Sequence, residues 1–195
     1  MSRYAVLILP SANRVYADAA LTLTQAELAS FNEAALGQRI GTIAPEVIGG
    51  VPYVTFECDD LGDRDIAHLA NLSSLYALFA IEGEVLRPIT ARRLDRLDDD
   101  LITIQKYSGK TNEQFTKLLL NVTVLASDFA GDLLDRSLTV LDPLCGRGTT
   151  LNQALMYGWD AYGIEIDERD IDAYAVFIQR WLKEKRLKHR VEYGP

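Results

Sequence analysis

The sequence predicts a mixed α/β chain in two parts: a β-α-β-β-α-β unit over residues 1–90, then the opening of a parallel-sheet unit over residues 110–195. Three observations carry this. Apolar runs of strand length alternate with stretches of helical spacing through the first part. A strand-like run, Leu138-Thr139-Val140-Leu141, leads into a glycine turn, Asp142-Pro143-Leu144-Cys145-Gly146-Arg147-Gly148-Thr149-Thr150. That turn opens into the helix-favouring Leu151-Asn152-Gln153-Ala154-Leu155-Met156, and a second short strand, Ala161 to Asp167, follows with acidic residues at its end.

Within the first part, Tyr4-Ala5-Val6-Leu7-Ile8-Leu9 reads as a strand. Arg14 to Leu36 has helix-forming composition, with Val15, Ala19, Leu21, Leu28 and Phe31 apolar. Thr24 and Glu27 stand at capping-box spacing, so a shorter helix from Gln25 to Leu36 is the firmer expectation. Arg39–Ile48 and Val51–Cys58 read as two strands joined at Gly49-Gly50, a hairpin signal. Asp63 or Asp65 is expected to cap a helix running through Leu69, Leu72, Leu75, Leu78 and Phe79. Glu84–Ile89 is expected as the last strand, with Pro88 pointing to an edge. This order is that of the split βαβ, or ferredoxin-like, arrangement. Residues 91–109 read as a linker.

The second part begins with a helix over Asn112 to Ala126 and a shorter helical stretch around Phe129 to Leu134. After the glycine turn and second strand, Glu168 to Leu187 carries Ile171, Tyr174, Ala175, Ile178 and Leu182 on one helical face. Asp167 is placed to cap that helix, with Asp170 in its first turn. His189 to Tyr193 is expected to start a third strand.

Strand, glycine turn and helix are how a Rossmann-type unit brings a cofactor to a helix N-terminus. Gly146 and Gly148 lack Cβ atoms, so the turn tolerates positive φ and close approach of a ligand. Glu165 lies about 20 residues beyond the glycines, where an acidic side chain accepts hydrogen bonds from ribose hydroxyls. The dinucleotide fingerprint requires a third glycine to seat a pyrophosphate, and that position is Leu151. A carboxylate such as Asp142 suits an ammonium, and turn amides suit a carboxylate.

The stretch Asp142-Pro143-Leu144-Cys145-Gly146-Arg147-Gly148-Thr149 resembles motif I of S-adenosylmethionine (SAM) dependent methyltransferases, in the form found in enzymes that methylate exocyclic amino groups of nucleic-acid bases. Upstream, Tyr107-Ser108-Gly109-Lys110-Thr111-Asn112-Glu113-Gln114-Phe115-Thr116, followed by Leu118-Leu119-Leu120-Asn121, is similar to the segment preceding motif I in the THUMP-containing tRNA guanine-N2 methyltransferases. The resemblance implies cofactor contacts at Asp142, Pro143, Cys145, Gly146, Gly148, Thr149 and Glu165. It also implies contacts to the methionine part of SAM from Lys110 and Thr111, while Thr111 or Asn112 equally reads as a helix cap.

The family's architecture is a ferredoxin-like domain, a THUMP domain and a Rossmann-like methyltransferase domain. The interval 91–109 is too short for a THUMP domain of roughly 100 residues, which weakens transfer of tRNA specificity. Nor are any two of the six prolines adjacent, so the D/N-P-P-Y/F/W tetrapeptide that receives a target amine in such enzymes does not occur, and no catalytic residue is assigned. The expectation is therefore the SAM-binding N-terminal portion of an RNA methyltransferase, inactive by itself. The alternative is a non-catalytic SAM-binding or regulatory module that pairs with itself or a partner chain through an exposed sheet edge.

Composition narrows the remainder. No apolar run approaches the roughly 20 residues that span a bilayer, and no signal-peptide pattern opens the sequence, so a cytoplasmic protein away from membranes is expected. Cys58 and Cys145 do not form a disulfide framework or, with His68 and His189, a zinc pattern. The net charge of −8 runs against the basic footprint of a nucleic-acid binder. Two local clusters oppose it: Arg87, Arg92, Arg93 and Arg96, and Lys183, Lys185, Arg186, Lys188 and Arg190. The run Asp98-Asp99-Asp100 reads as a solvated stretch, and His68 as a partly buried helix residue.

Overall fold

The computed structural model describes every residue except Ala12, Tyr193 and Pro195. The first part contains β1 (Ser2–Ile8), α1 (Arg14–Ala34), β2 (Ile43–Ile48), β3 (Val51–Cys58), α2 (Asp63–Leu69), β4 (Leu75–Glu82) and β5 (Val85–Ile89). The five strands form one antiparallel sheet in the order β2-β3-β1-β4-β5. Alternation along the strands turns Tyr4, Val6, Val54, Phe56, Leu78 and Ala80 to the core shared with Leu28 and Phe31 of α1. Gly49 and Gly50 both take positive φ (59° and 84°), which joins β2 to β3 in a turn whose twist suits a hairpin.

Three expectations are corrected here. α1 is unbroken from Arg14, capped by Asn13, whose side chain accepts from Val15 N at 3.0 Å. Thr24 does not cap: its hydroxyl bonds to Ala20 O (2.7 Å) and to Ser74 Oγ (2.5 Å). Glu27 turns inward, so partners distant in sequence override the local capping pattern.

The second correction concerns α2, which stops at Leu69. Asn71, with its side chain on Ala67 O (2.8 Å), marks the break. Leu75, Leu78 and Phe79 belong to β4, which pairs with β1. The leucines at intervals of three fit either structure, but the alternation of buried Leu78 and Ala80 with half-buried Ala77, Phe79 and Ile81 follows the sheet. The strand expected at Glu84–Ile89 is therefore a fifth, edge strand, where Pro88 has only Phe79 opposite it.

The second part contains α3 (Asp100–Thr103), α4 (Glu113–Leu125), a 3-10 turn at Ala130–Asp132, β6 (Thr139–Asp142), α5 (Thr149–Met156), β7 (Asp160–Gly163) and α6 (Glu168–Glu184). β6 and β7 are parallel, with Leu141 opposite Tyr162. The helical stretch expected at Phe129–Leu134 is only the 3-10 turn, and α6 ends three residues before Leu187. Residues 189–192 form no strand, and Tyr193 lies outside the described residues.

The third correction is that residues 91–109 are packed and not a free linker. Arg96 N donates to Met156 O (2.7 Å), and Leu101 is fully buried. The acidic run is solvent-exposed at Asp98 and Asp99, as expected, while it also pairs with α6. Lys185 Nζ reaches Asp98 and Asp100, each at 2.7 Å, and Trp181 Nε1 donates to Asp100 Oδ1 (2.9 Å).

One core cluster runs through both parts, from Val6, Leu28 and Phe56 to Leu120, Val124, Tyr157 and Trp159. A second, around Leu101, Cys145, Leu151, Tyr174, Ile178 and Trp181, seats α6. Where the parts meet, a buried polar network is added to this apolar contact. Asn121 Nδ2 donates to Glu27 Oε1 and to Asn71 O, both at 2.8 Å, and its Oδ1 accepts from the Tyr157 hydroxyl at 2.8 Å. Glu27 also accepts from Ser73 N and Oγ. Burial raises the Glu27 carboxyl above its ordinary range against the pull of those donors, and burial lowers the Lys117 ammonium. Lys117 sits 3.3 Å from Asp95 and lies over the Tyr157 ring. No helix among the described residues is long and apolar enough to cross a membrane.

Tyr157→Phe keeps the ring and removes the hydroxyl, leaving the buried Asn121 Oδ1 without that donor. A loss of roughly 1–3 kcal/mol is expected. It should be read as a lower urea midpoint with an unchanged slope.

Candidate cofactor-binding site

β6, α5 and β7 form a parallel strand–helix–strand unit with the glycine turn at its first junction. Gly146 and Gly148 have φ of +52° and +76°. Space around a Cβ on Gly146 is open, whereas a Cβ on Gly148 would overlap the Tyr174 ring. The second glycine is thus required by packing as well as by backbone conformation. Tyr174 is held there by its hydroxyl, which donates to Asn152 Oδ1 (3.1 Å), and Asn152 donates to Leu101 O (3.3 Å). Burial pushes that hydroxyl well above its ordinary pKa, so it remains a donor.

Glu165, just beyond β7, turns back onto the turn. Its Oε2 accepts from Gly146 N at 2.7 Å, and its Oε1 accepts from Ile166 N (2.8 Å) and Asp167 N (2.9 Å). The Asp167 amide, then the Gly146 amide, holds the carboxyl below its ordinary range. Asp142 ends β6 and accepts from Leu144 N (3.0 Å). The strand ends are laced by Ile164 N to Asp142 O (2.9 Å) and Cys145 N to Ile164 O (3.0 Å), while Gly148 N donates to Cys145 O (2.8 Å). The two carboxylates therefore stand at adjacent strand ends beside the same turn.

That lacing changes one expectation. The amides of Leu144, Cys145, Gly146 and Gly148 already have acceptors within the protein, so these four are not open to a ligand carboxylate as the turn stands.

The other expected contacts divide. Pro143 is exposed at the turn's outer edge. Cys145 is 6 % exposed and packed in the second core cluster. Burial, with Asp142 and Glu165 nearby, pushes its thiol up, so it contributes packing and backbone. Thr149 Oγ1 lies 3.0 Å from the Tyr107 hydroxyl. Lys110 Nζ is engaged by Ile102 O (2.6 Å) and Glu113 Oε1 (2.5 Å). Thr111 is exposed just before Asn112, which is the cap of α4 and accepts from Phe115 N (3.1 Å).

No family model and no curated protein matches the sequence.

The upstream segment does reach the turn, but through Tyr107 and not through Lys110 or Thr111. The Arg147 guanidinium lies 5.0 Å from the Tyr107 ring centroid and donates to Asp170 Oδ1 at 2.8 Å. Tyr107, Arg147, Asp170 and Tyr174 were thus overlooked as site residues. An aromatic three positions before Lys110 and a cation between two turn glycines were the available signals. Asp167 caps α6 as expected, accepting from Arg169 N.

Both basic clusters are partly committed elsewhere. Arg93 donates to Leu75 O, Arg87 pairs with Glu82, and Arg96 packs over Gly158. In the second cluster Lys185 serves the acidic run and Arg190 pairs with Glu192. His68 is more buried than expected, at 2 % exposure, and burial lowers its pKa, so it stays neutral.

Gly146→Ala should cost about 1–2 kcal/mol, the strain of a left-handed non-glycine residue. Gly148→Ala should cost distinctly more, because Tyr174 must also move. Thermal unfolding of both variants checks the order. A second test follows from Glu165, whose folded pKa lies below its ordinary 4.5. Its stabilisation is complete above that ordinary value and is lost as pH falls through the lower one. The Gly146 amide shift should titrate in that acidic window by NMR, and Glu165→Gln should abolish the titration.

Proposed function

We propose that the surface beside the glycine turn and Glu165 binds SAM, and that the chain is the SAM-binding N-terminal portion of an RNA methyltransferase, with guanine N2 in tRNA the target that the resemblance favours. In this reading the first part is a ferredoxin-like domain extended by β5, and the second opens a Rossmann-like sheet. The observation that carries the proposal is the Glu165–Gly146 contact at 2.7 Å. It sets an acidic strand end within reach of the turn, where ribose hydroxyls of an adenosyl group would lie.

Charge supports SAM over a dinucleotide. Asp142, Glu165 and Asp170 surround the turn, and Arg147 is the cation among them. A pyrophosphate brings two negative charges into that setting, whereas SAM brings a sulfonium, an ammonium and one carboxylate. Like charges at such separations disfavour the first and suit the second. Glu165 would accept from the ribose and Asp142 from the ammonium. In the complete enzyme a base amino group would attack the SAM methyl in line, the carbon–sulfur bond breaking as the new carbon–nitrogen bond forms. The protein's contribution would be positioning.

A second reading, a SAM-binding module completed by another copy or another chain, is favoured by a different observation. Leu141 and Tyr162 stand opposite each other on one face of β6–β7, 60 % and 63 % exposed, with Ile164 and Ile166 nearby. Parallel strands are ordinarily covered on both faces. Light scattering on the purified protein discriminates: a compact monomer removes self-association from this reading.

Calorimetry should show saturable binding of SAM and no heat with NAD. Glu165→Ala should weaken SAM on the order of tenfold or more, the effect of losing charge-assisted hydrogen bonds. Tight NAD binding with no response to SAM would overturn the proposal.

A further inference from the structure

We infer that Arg147 reads the carboxylate of the amino-acid end of the bound ligand and so sets specificity for SAM over adenosyl compounds that lack it. The inference rests on the SAM reading above and adds to it a contact that the resemblance does not provide.

Four facts converge on Arg147. The amides of Leu144, Cys145, Gly146 and Gly148 are engaged by internal acceptors, so these four do not serve a ligand carboxylate as the turn stands. Lys110, the cation expected to serve the amino-acid end, is occupied by Glu113 and Ile102 O, and its side chain is only 11 % exposed. Arg147 lies between the two turn glycines and uses one donor, Nε, on Asp170 Oδ1. Its terminal nitrogens have no acceptor among the described residues, and its side chain is 36 % exposed.

A guanidinium carries five N–H donors in a rigid plane, and the paired outer edge matches a carboxylate. The guanidinium lies over the Tyr107 ring, 5.0 Å from its centroid, and the Tyr107 hydroxyl is anchored in turn at Thr149. Asp170 holds Nε without blocking the outer edge. The fork is therefore oriented before any ligand arrives, which lowers the entropy that a carboxylate must offset on binding.

The test is a cycle of two proteins and two ligands: wild type and Arg147→Ala, each titrated with SAM and with decarboxylated SAM, which keeps the sulfonium and ammonium. Wild type should prefer SAM on the order of tenfold to a hundredfold, as expected for a charge-assisted pair. Arg147→Ala should lose that preference while binding decarboxylated SAM as wild type does, which also shows that the variant folds. Arg147→Lys, with the charge but not the fork, should retain only part of the preference. A preference that survives in Arg147→Ala, or equal weakening of both ligands, overturns the inference and leaves the SAM site standing. Failure of wild type to bind either ligand overturns the SAM site itself.

Discussion

Asn121 is the residue on which the two parts of the chain depend for their mutual placement. It is fully buried, and its amide is shared among Glu27 of α1, the Asn71 carbonyl beyond α2 and the Tyr157 hydroxyl after α5. Each partner comes from a different element, so α4 cannot slide or rotate without breaking several buried hydrogen bonds at once. Such a network is costly when half satisfied and specific when complete. Here it is joined by Lys117, which lies between Asp95 and the face of Tyr157. The glycine turn inherits its position from this arrangement, because Tyr157 ends the helix that the turn begins.

At the turn itself, packing and backbone conformation are inseparable. Gly148 allows Tyr174 to lie against the main chain, and Tyr174 through Asn152 ties α6 to α5 and to the carbonyl of Leu101. The same helix presents Asp170 to Arg147, so the cation over Tyr107 is held by the helix that Tyr174 seats. Side chains of α3, α5, α6 and residues 104–110 thus converge on one short turn. That convergence explains why residues 91–109 are packed and ordered by contacts instead of bridging two independent units.

What was legible in the sequence was local. The strand–turn–helix at 138–156, the Asp167 cap and the Asn112–Ala126 helix depend on neighbours in sequence, and each appears within a residue or two. The misread features depend on distant partners. Thr24 and Glu27 have capping-box spacing, but Ser74, Ser73 and Asn121 claim their side chains. The leucines from 69 to 78 satisfy a helical repeat, but Leu75 and Leu78 lie in β4, where the strand pairs with β1. Within the site, Glu165 could be placed from its distance to the glycines. The engagement of Lys110 by Glu113 and the approach of Tyr107 to Arg147 could not, because both depend on how residues 102–113 pack.

The Glu165 contact also bears on how a ligand would enter. A turn with two left-handed glycines costs backbone entropy to hold in one conformation, and unpaired amides at its apex add to that cost. Glu165 removes the second cost by taking the Gly146 amide while it also accepts from Ile166 and Asp167. The carboxylate that would receive ribose hydroxyls is therefore the group that keeps the turn built in their absence. On the proposed reading, binding exchanges hydrogen bonds at one carboxylate and does not order a loop from many conformations. On the same reading, Asp142 and Arg147 would be the charged groups left at the rim to discriminate among ligands.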